Sequence, residues 1–132
     1  MAEDFRNLLK EASRSDDFGR WFEDLDVAGK FVLSIQASDI HACAPCAVLD
    51  DPKGYESFEL ILSQTDETLD LPGYGALEEL EARPWFGYVQ PGEIGGFVRL
   101  EYVPAAVVQQ IYEDLLEYAR ANPPGAPRTL RA

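Results

Sequence analysis

His41, Cys43 and Cys46 are the chain's one histidine and two cysteines, and they lie within six residues of one another. They occupy Ser34-Ile-Gln-Ala-Ser-Asp-Ile-His41-Ala-Cys43-Ala-Pro-Cys46, directly after an apolar run. Three chemistries fit that grouping. A Cys-x-x-Cys pair becomes a redox centre when its first thiol sits at a helix N-terminus, where backbone N–H groups favour the thiolate. A metal site would use His41, Cys43 and Cys46 and borrow Asp39 or Asp50, because no second Cys/His cluster exists to complete a tetrahedral set. In the third reading the small thiols pack into the core and His41 hydrogen-bonds locally.

Other chemistry is sparse. No Gly-rich phosphate loop is present, no Ser/His/Asp set has credible spacing, and no cofactor is expected. Acid pairs such as Glu78-Glu79 and Asp50-Asp51 read as solvated faces rather than acid–base machinery. Arg83 and Arg99 are the candidates for holding a small nucleotide anion.

Charge narrows the partners. The chain carries 24 acids against 11 Lys and Arg, for a net charge of -13, and residues 39 to 82 contain eleven acids with Lys53 as the single base. That block repels a phosphate backbone, so direct nucleic-acid binding is disfavoured. A basic protein surface is the complementary partner, with Asp50, Asp51, Glu56, Glu59, Asp66 and Glu67 as the residues expected to meet it. The absence of a long apolar run and of a signal-peptide layout points to a cytoplasmic protein that does not cross a membrane.

The elements that must position these groups follow from periodicity. Phe5, Leu8, Leu9 and Ala12 have helical spacing, and Ser15-Asp16 can cap a second helix with Phe18, Trp21, Phe22 and Leu25 on one face, closed by Gly29. Residues 31–37 and 55–63 read as strands flanking the cysteine loop. Residues 75–82 suit a short acidic helix ended by Pro84. Residues 85–90 and 95–103 read as strands joined by the turn at 91–94, and 104–120 form an amphipathic helix. The expectation is a single α+β domain over residues 1–121, with an antiparallel or mixed sheet of about four strands packed by N-terminal and C-terminal helices. Residues 122–132 form a Pro-rich flexible tail.

Two resemblances add to this. Cys43-Ala-Pro-Cys46 after a strand resembles thioredoxin-like proteins, and Arg83-Pro84 with the strands beyond it is similar to that fold's cis-proline hairpin. The resemblance implies a thiol–disulfide oxidoreductase with Cys43 as nucleophile, Cys46 as resolving thiol and Pro84 in the cis form. The chain departs from the pattern where Asp50-Asp51-Pro52-Lys53-Gly54 leaves no room for the helix, and Ala42 replaces the usual aromatic residue. Nearby acids would also raise a thiol pKa.

The box Ser34-x-Gln36-x-Ser38-x-x-His41-x-Cys43-x-Pro45, with Tyr55-x-Ser57-x-Glu59 and Val103-Pro104-x-x-Val107-Val108, resembles small, mostly uncharacterised proteins of phages and mobile elements. In that group an arginine tends to stand where this chain has Cys46. The resemblance implies a phage accessory role. Combined with the acidity, it suggests a non-enzymatic anti-defence inhibitor of the anti-CRISPR or anti-restriction kind, with carboxylates standing in for phosphates on a nucleic-acid-binding host complex. An immunity protein against a basic toxin would use the same electrostatics.

Overall fold

The computed structural model describes residues 2–65, 76–90 and 96–123. Among these residues six strands and two helices follow in chain order: β1 (Glu11–Ser15), β2 (Gly19–Phe22), β3 (Leu25–Val27), β4 (Phe31–Gln36), β5 (Ser57–Gln64), α1 (Leu77–Leu80), β6 (Phe97–Pro104) and α2 (Ala105–Ala121). Strands β3 to β6 form an antiparallel four-stranded meander, and β1 and β2 form a separate two-stranded ribbon. The fold class is α+β.

Alternation along the central strands explains the core. Phe31, Leu33 and Ile35 of β4, Phe58, Leu60 and Leu62 of β5, and Val98 and Leu100 of β6 are buried, with half-exposed residues between them. The register places Leu33 opposite Leu62 and Leu60 opposite Leu100, so the apolar sets share one side of the sheet. Helix α2 contributes Val108, Ile111, Leu115 and Ala119 at helical spacing, and these are buried too. Pro104 ends β6 and directly precedes this helix.

The N-terminal helices expected from spacing are absent. Phe5–Leu8 is one 3-10 turn, capped by the Asp4 side chain on the Arg6 N–H. The second segment is the β1–β2 hairpin, in which Arg14 pairs with Arg20 and Ser15 with Gly19. The proposed apolar helix face is divided: Phe22 is buried while Phe18 is 73% exposed at the turn. Gly19 lies at φ +70, a left-handed conformation that bends the chain where a helix would continue. Gly29 belongs to the β3–β4 turn, not to a helix end.

Residues 85–90 also depart from expectation. Pro84–Tyr88 forms a 3-10 turn, and Val89 alone joins the sheet by a bridge to Leu100. The Trp85 indole N–H donates to the buried Asp114 Oδ2 at 2.8 Å, which fixes the turn against α2 instead of extending it as a strand. The acidic helix expected at 75–82 is the single turn α1. The turn at 91–94, most of the tail, Asp66 and Glu67 lie outside the described residues.

Candidate functional site

The long connection from Gln36 to Tyr55 carries the residue box, and the β1–β2 hairpin packs directly on it. Gln36 makes that junction. Its side-chain Oε1 accepts from the Phe22 N–H at 2.8 Å, and its Nε2 donates to the Phe22 carbonyl at 3.0 Å and to Ser34 Oγ at 3.0 Å. One amide side chain therefore satisfies both backbone groups of Phe22, as a neighbouring strand would.

Arg20 is the second fastener. It is 1% exposed, and its guanidinium donates to the Leu49 carbonyl at 2.9 Å, the Ala37 carbonyl at 2.8 Å and the Tyr55 hydroxyl at 2.8 Å. It lies 4.1 Å from the Phe22 ring centroid, a cation–π contact, and 3.9 Å from Glu11. The Tyr55 hydroxyl in turn donates to the Ala47 carbonyl at 2.6 Å and accepts from the Leu49 N–H at 2.7 Å. Two side chains thus clamp both arms of the loop to the hairpin.

Within the loop, Ser38 Oγ lies 2.6 Å from His41 Nδ1 and accepts from the Ile40 N–H at 3.2 Å. His41 Nε2 is buried and has no hydrogen-bond partner among the described residues. Trp21 meets the imidazole edge to face at 4.4 Å. Cys43 is buried, and its thiol donates to the Ser38 carbonyl at 3.2 Å and the Pro45 carbonyl at 3.5 Å. Cys46 is exposed, and its thiol donates to the Asp39 carbonyl at 3.3 Å. Glu59, half-buried on β5, accepts from the Ala42 N–H at 2.7 Å, while Ala44 bridges to Ser57. The Tyr102 N–H reaches the Ala42 carbonyl at 3.1 Å, from a residue held at the uncommon φ of +52.

The geometry bears on the three chemistries. Both cysteines are free thiols, and burial pushes the Cys43 thiol above its ordinary value, opposite to the direction that generates a thiolate nucleophile. No helix begins at the motif; the loop holds a single 3-10 turn at Pro52–Gly54. The cis peptide among the described residues precedes Pro45, whereas Pro84, where the thioredoxin-like resemblance placed it, opens the later 3-10 turn. Among the described residues no group of three His, Cys, Asp or Glu side chains could hold a metal ion.

The predicted partner-binding acids separate by environment. Glu56 is exposed, and so are Asp50, paired with Arg14 at 2.9 Å, and Asp51, which caps the Lys53 N–H. Glu59 is committed to the loop backbone. Arg83 stands 3.8 Å from Asp114 and Arg99 3.9 Å from Glu101, so each faces a carboxylate. Arg20, Trp21 and Phe22 were not readable as site residues, because a helical reading separated them from the loop. The signal that could have found them is the turn-forming Asp16-Asp17-Phe18-Gly19 before a short alternating segment.

His41 gives a pH expectation. Burial pushes its pKa below the ordinary value of 6.5, against the opposing pull of Glu59 and Asp39. Between the folded and unfolded values the unfolded chain holds more protons, so stability rises with pH across that window. The His41 contribution is therefore complete above about pH 6.5 and falls away as the pH drops through the lower folded value, by at most about 1.4 kcal/mol per pH unit. Urea midpoints measured from about pH 5 to 8 should show this slope in the wild type and lose it in His41→Gln; equal slopes would contradict the assignment.

No family model matches the chain, and no curated protein or solved structure is similar to it.

Proposed function

We propose that the protein is a non-enzymatic binding module that presents an acidic face, built from the hairpin and the loop, to a basic partner surface. One observation carries this reading. Of the groups that could react, Cys43, His41 and Ser38 are buried and hydrogen-bonded inside the loop and the Cys46 thiol alone is exposed, whereas Asp16, Asp17, Asp39, Asp50, Asp51 and Glu56 of the same unit are all exposed. Carboxylates held on a rigid framework steer and select a positively charged partner. The box's resemblance to phage-type proteins gives the concrete form: an anti-defence inhibitor that occupies the nucleic-acid-binding surface of a host complex. No described helix is long and apolar enough to cross a membrane. The thiol–disulfide reading has less support, because burial raises the Cys43 pKa.

The test is affinity capture from host lysate at low and high salt, comparing wild type with the variant Asp16→Lys, Asp17→Lys, Asp39→Lys, Glu56→Lys. A basic partner should be held at low salt, released by high salt or by competing duplex DNA, and bound about tenfold or more weakly by the variant. Capture indifferent to charge reversal and to DNA would sink the proposal. Cys43→Ser/Cys46→Ser should retain the partner; its loss as a mixed disulfide would transfer the argument to redox chemistry.

A further inference from the structure

Two large apolar side chains stand exposed in the hairpin and loop that carry these acids. Phe18 is 73% exposed at the hairpin turn, and Ile40, 50% exposed, lies against the neighbouring residue Gly19. A Cβ on Gly19 would come within 2.7 Å of Ile40 Cγ1 and 3.0 Å of Ser38 Oγ, so the glycine is what lets the turn seat on the loop with Ile40 beside it. Phe18 in sequence and Ile40 by contact therefore both adjoin Gly19, at the corner where the turn meets the loop. Most of Phe18 and half of Ile40 are left in water, and that exposed apolar area contributes nothing to folding.

The corner is preorganised. The Phe18 N–H donates to Ser15 Oγ at 2.9 Å, and the Phe18 carbonyl accepts from the Trp21 indole at 2.7 Å. The Ile40 N–H is tied to Ser38 Oγ, and Trp21 is braced on His41. Backbone held in this way costs little entropy when the side chain docks, which is the condition under which an exposed aromatic becomes a binding hot spot. Asp16 and Asp17 adjoin Phe18 and Asp39 adjoins Ile40; all three are exposed and none forms a salt bridge among the described residues. The charged residues next to the two apolar side chains are therefore acidic.

From this geometry we infer that Phe18 and Ile40 are the anchor of the acidic face, and that they dock into an apolar pocket bordered by Lys or Arg on a partner protein. The inference rests on the binding-module reading and adds to it the residue expected to dominate affinity. Charge complementarity names the occupant: a phosphate backbone would be repelled by Asp16, Asp17 and Asp39, whereas a basic-rimmed pocket satisfies ring and carboxylates together.

The experiment is an NMR titration of the isotope-labelled full chain with two synthetic peptides of equal length and charge, one alternating Lys and Leu and one of Lys and Gly. The Lys/Leu peptide should shift the amides of residues 15–19 and 38–41 and bind about tenfold more tightly than the Lys/Gly peptide. Phe18→Ala should abolish that advantage without altering Lys/Gly binding, and Phe18→Trp should preserve it. Equal binding of the two peptides, or an advantage that survives Phe18→Ala, overturns the anchor while leaving the acidic face intact. Failure of both peptides to bind at low salt overturns the acidic face as well. A Phe18-dependent dimer in sedimentation would also overturn the anchor, by assigning the corner to a second copy of the chain.

Discussion

Arg20→Lys is expected to destabilise the protein by about 3 kcal/mol or more, a large part of the 5–15 kcal/mol that holds a domain of this size folded. The guanidinium serves three acceptors from three separate stretches of the chain, Ala37, Leu49 and Tyr55, while stacked on Phe22. A lysine keeps the charge, but its single ammonium cannot reproduce a planar fork, and it would lie buried with incomplete solvation. Arg20→Ala should cost at least as much, because Leu49 and Ala37 would keep buried carbonyls with no donor. Tyr55→Phe removes one oxygen that takes part in three hydrogen bonds, at an expected cost of about 2 kcal/mol. The two residues share one network, so a double-mutant cycle by urea denaturation should give a combined loss smaller than the sum. Additive losses, or an Arg20→Lys protein as stable as wild type, would show that the clamp does not hold the loop.

Gln36→Leu is the second large effect, and its signature is local. Leucine preserves the approximate volume while removing both partners of the Phe22 backbone and the donor to Ser34. The buried N–H and carbonyl of Phe22 would go unsatisfied at that junction, costing about 2–3 kcal/mol. Because the hairpin is a separate two-stranded ribbon joined to the sheet here and through Arg20, hydrogen exchange should accelerate in β1 and β2 well before it does in β4, β5 and α2. A uniform loss of protection across all strands would mean that the hairpin and sheet unfold as one unit and that Gln36 is not the hinge between them. The same variant bears on the proposed binding face. A hairpin that swings free carries Phe18, Asp16 and Asp17 away from Ile40 and Asp39.

These substitutions also explain the residue box. Ser34, Gln36, Ser38, His41, Cys43, Tyr55 and Glu59 each make a side-chain hydrogen bond within the hairpin–loop framework, and Ser57 bridges to the loop at Ala44. The spacing that invited redox or metal chemistry also places these side chains where they hydrogen-bond the loop together. Most of its polar side-chain atoms are hydrogen-bonded inwardly, and His41 Nε2 is left without a partner among the described residues.

Elements whose signal is local were legible in the chain. Alternation at 31–37 and 55–63 yielded β4 and β5 within a few residues, and the apolar stripe of Val108, Ile111, Leu115 and Ala119 yielded α2. The acidity and the polar box around His41 were equally legible, since composition and spacing do not depend on contacts. The N-terminal hairpin and the turn at Pro84–Tyr88 depend instead on contacts between distant segments. Phe18, Trp21, Phe22 and Leu25 satisfy a helical period as readily as any short apolar set, and nothing within the window marks Arg20 as buried. That burial is possible only because Ala37, Leu49 and Tyr55 converge on the guanidinium, just as Asp114 on α2 holds Trp85 out of a strand. A buried polar group takes its partners from distant segments, and where those segments meet is set by the fold rather than by the residues beside it.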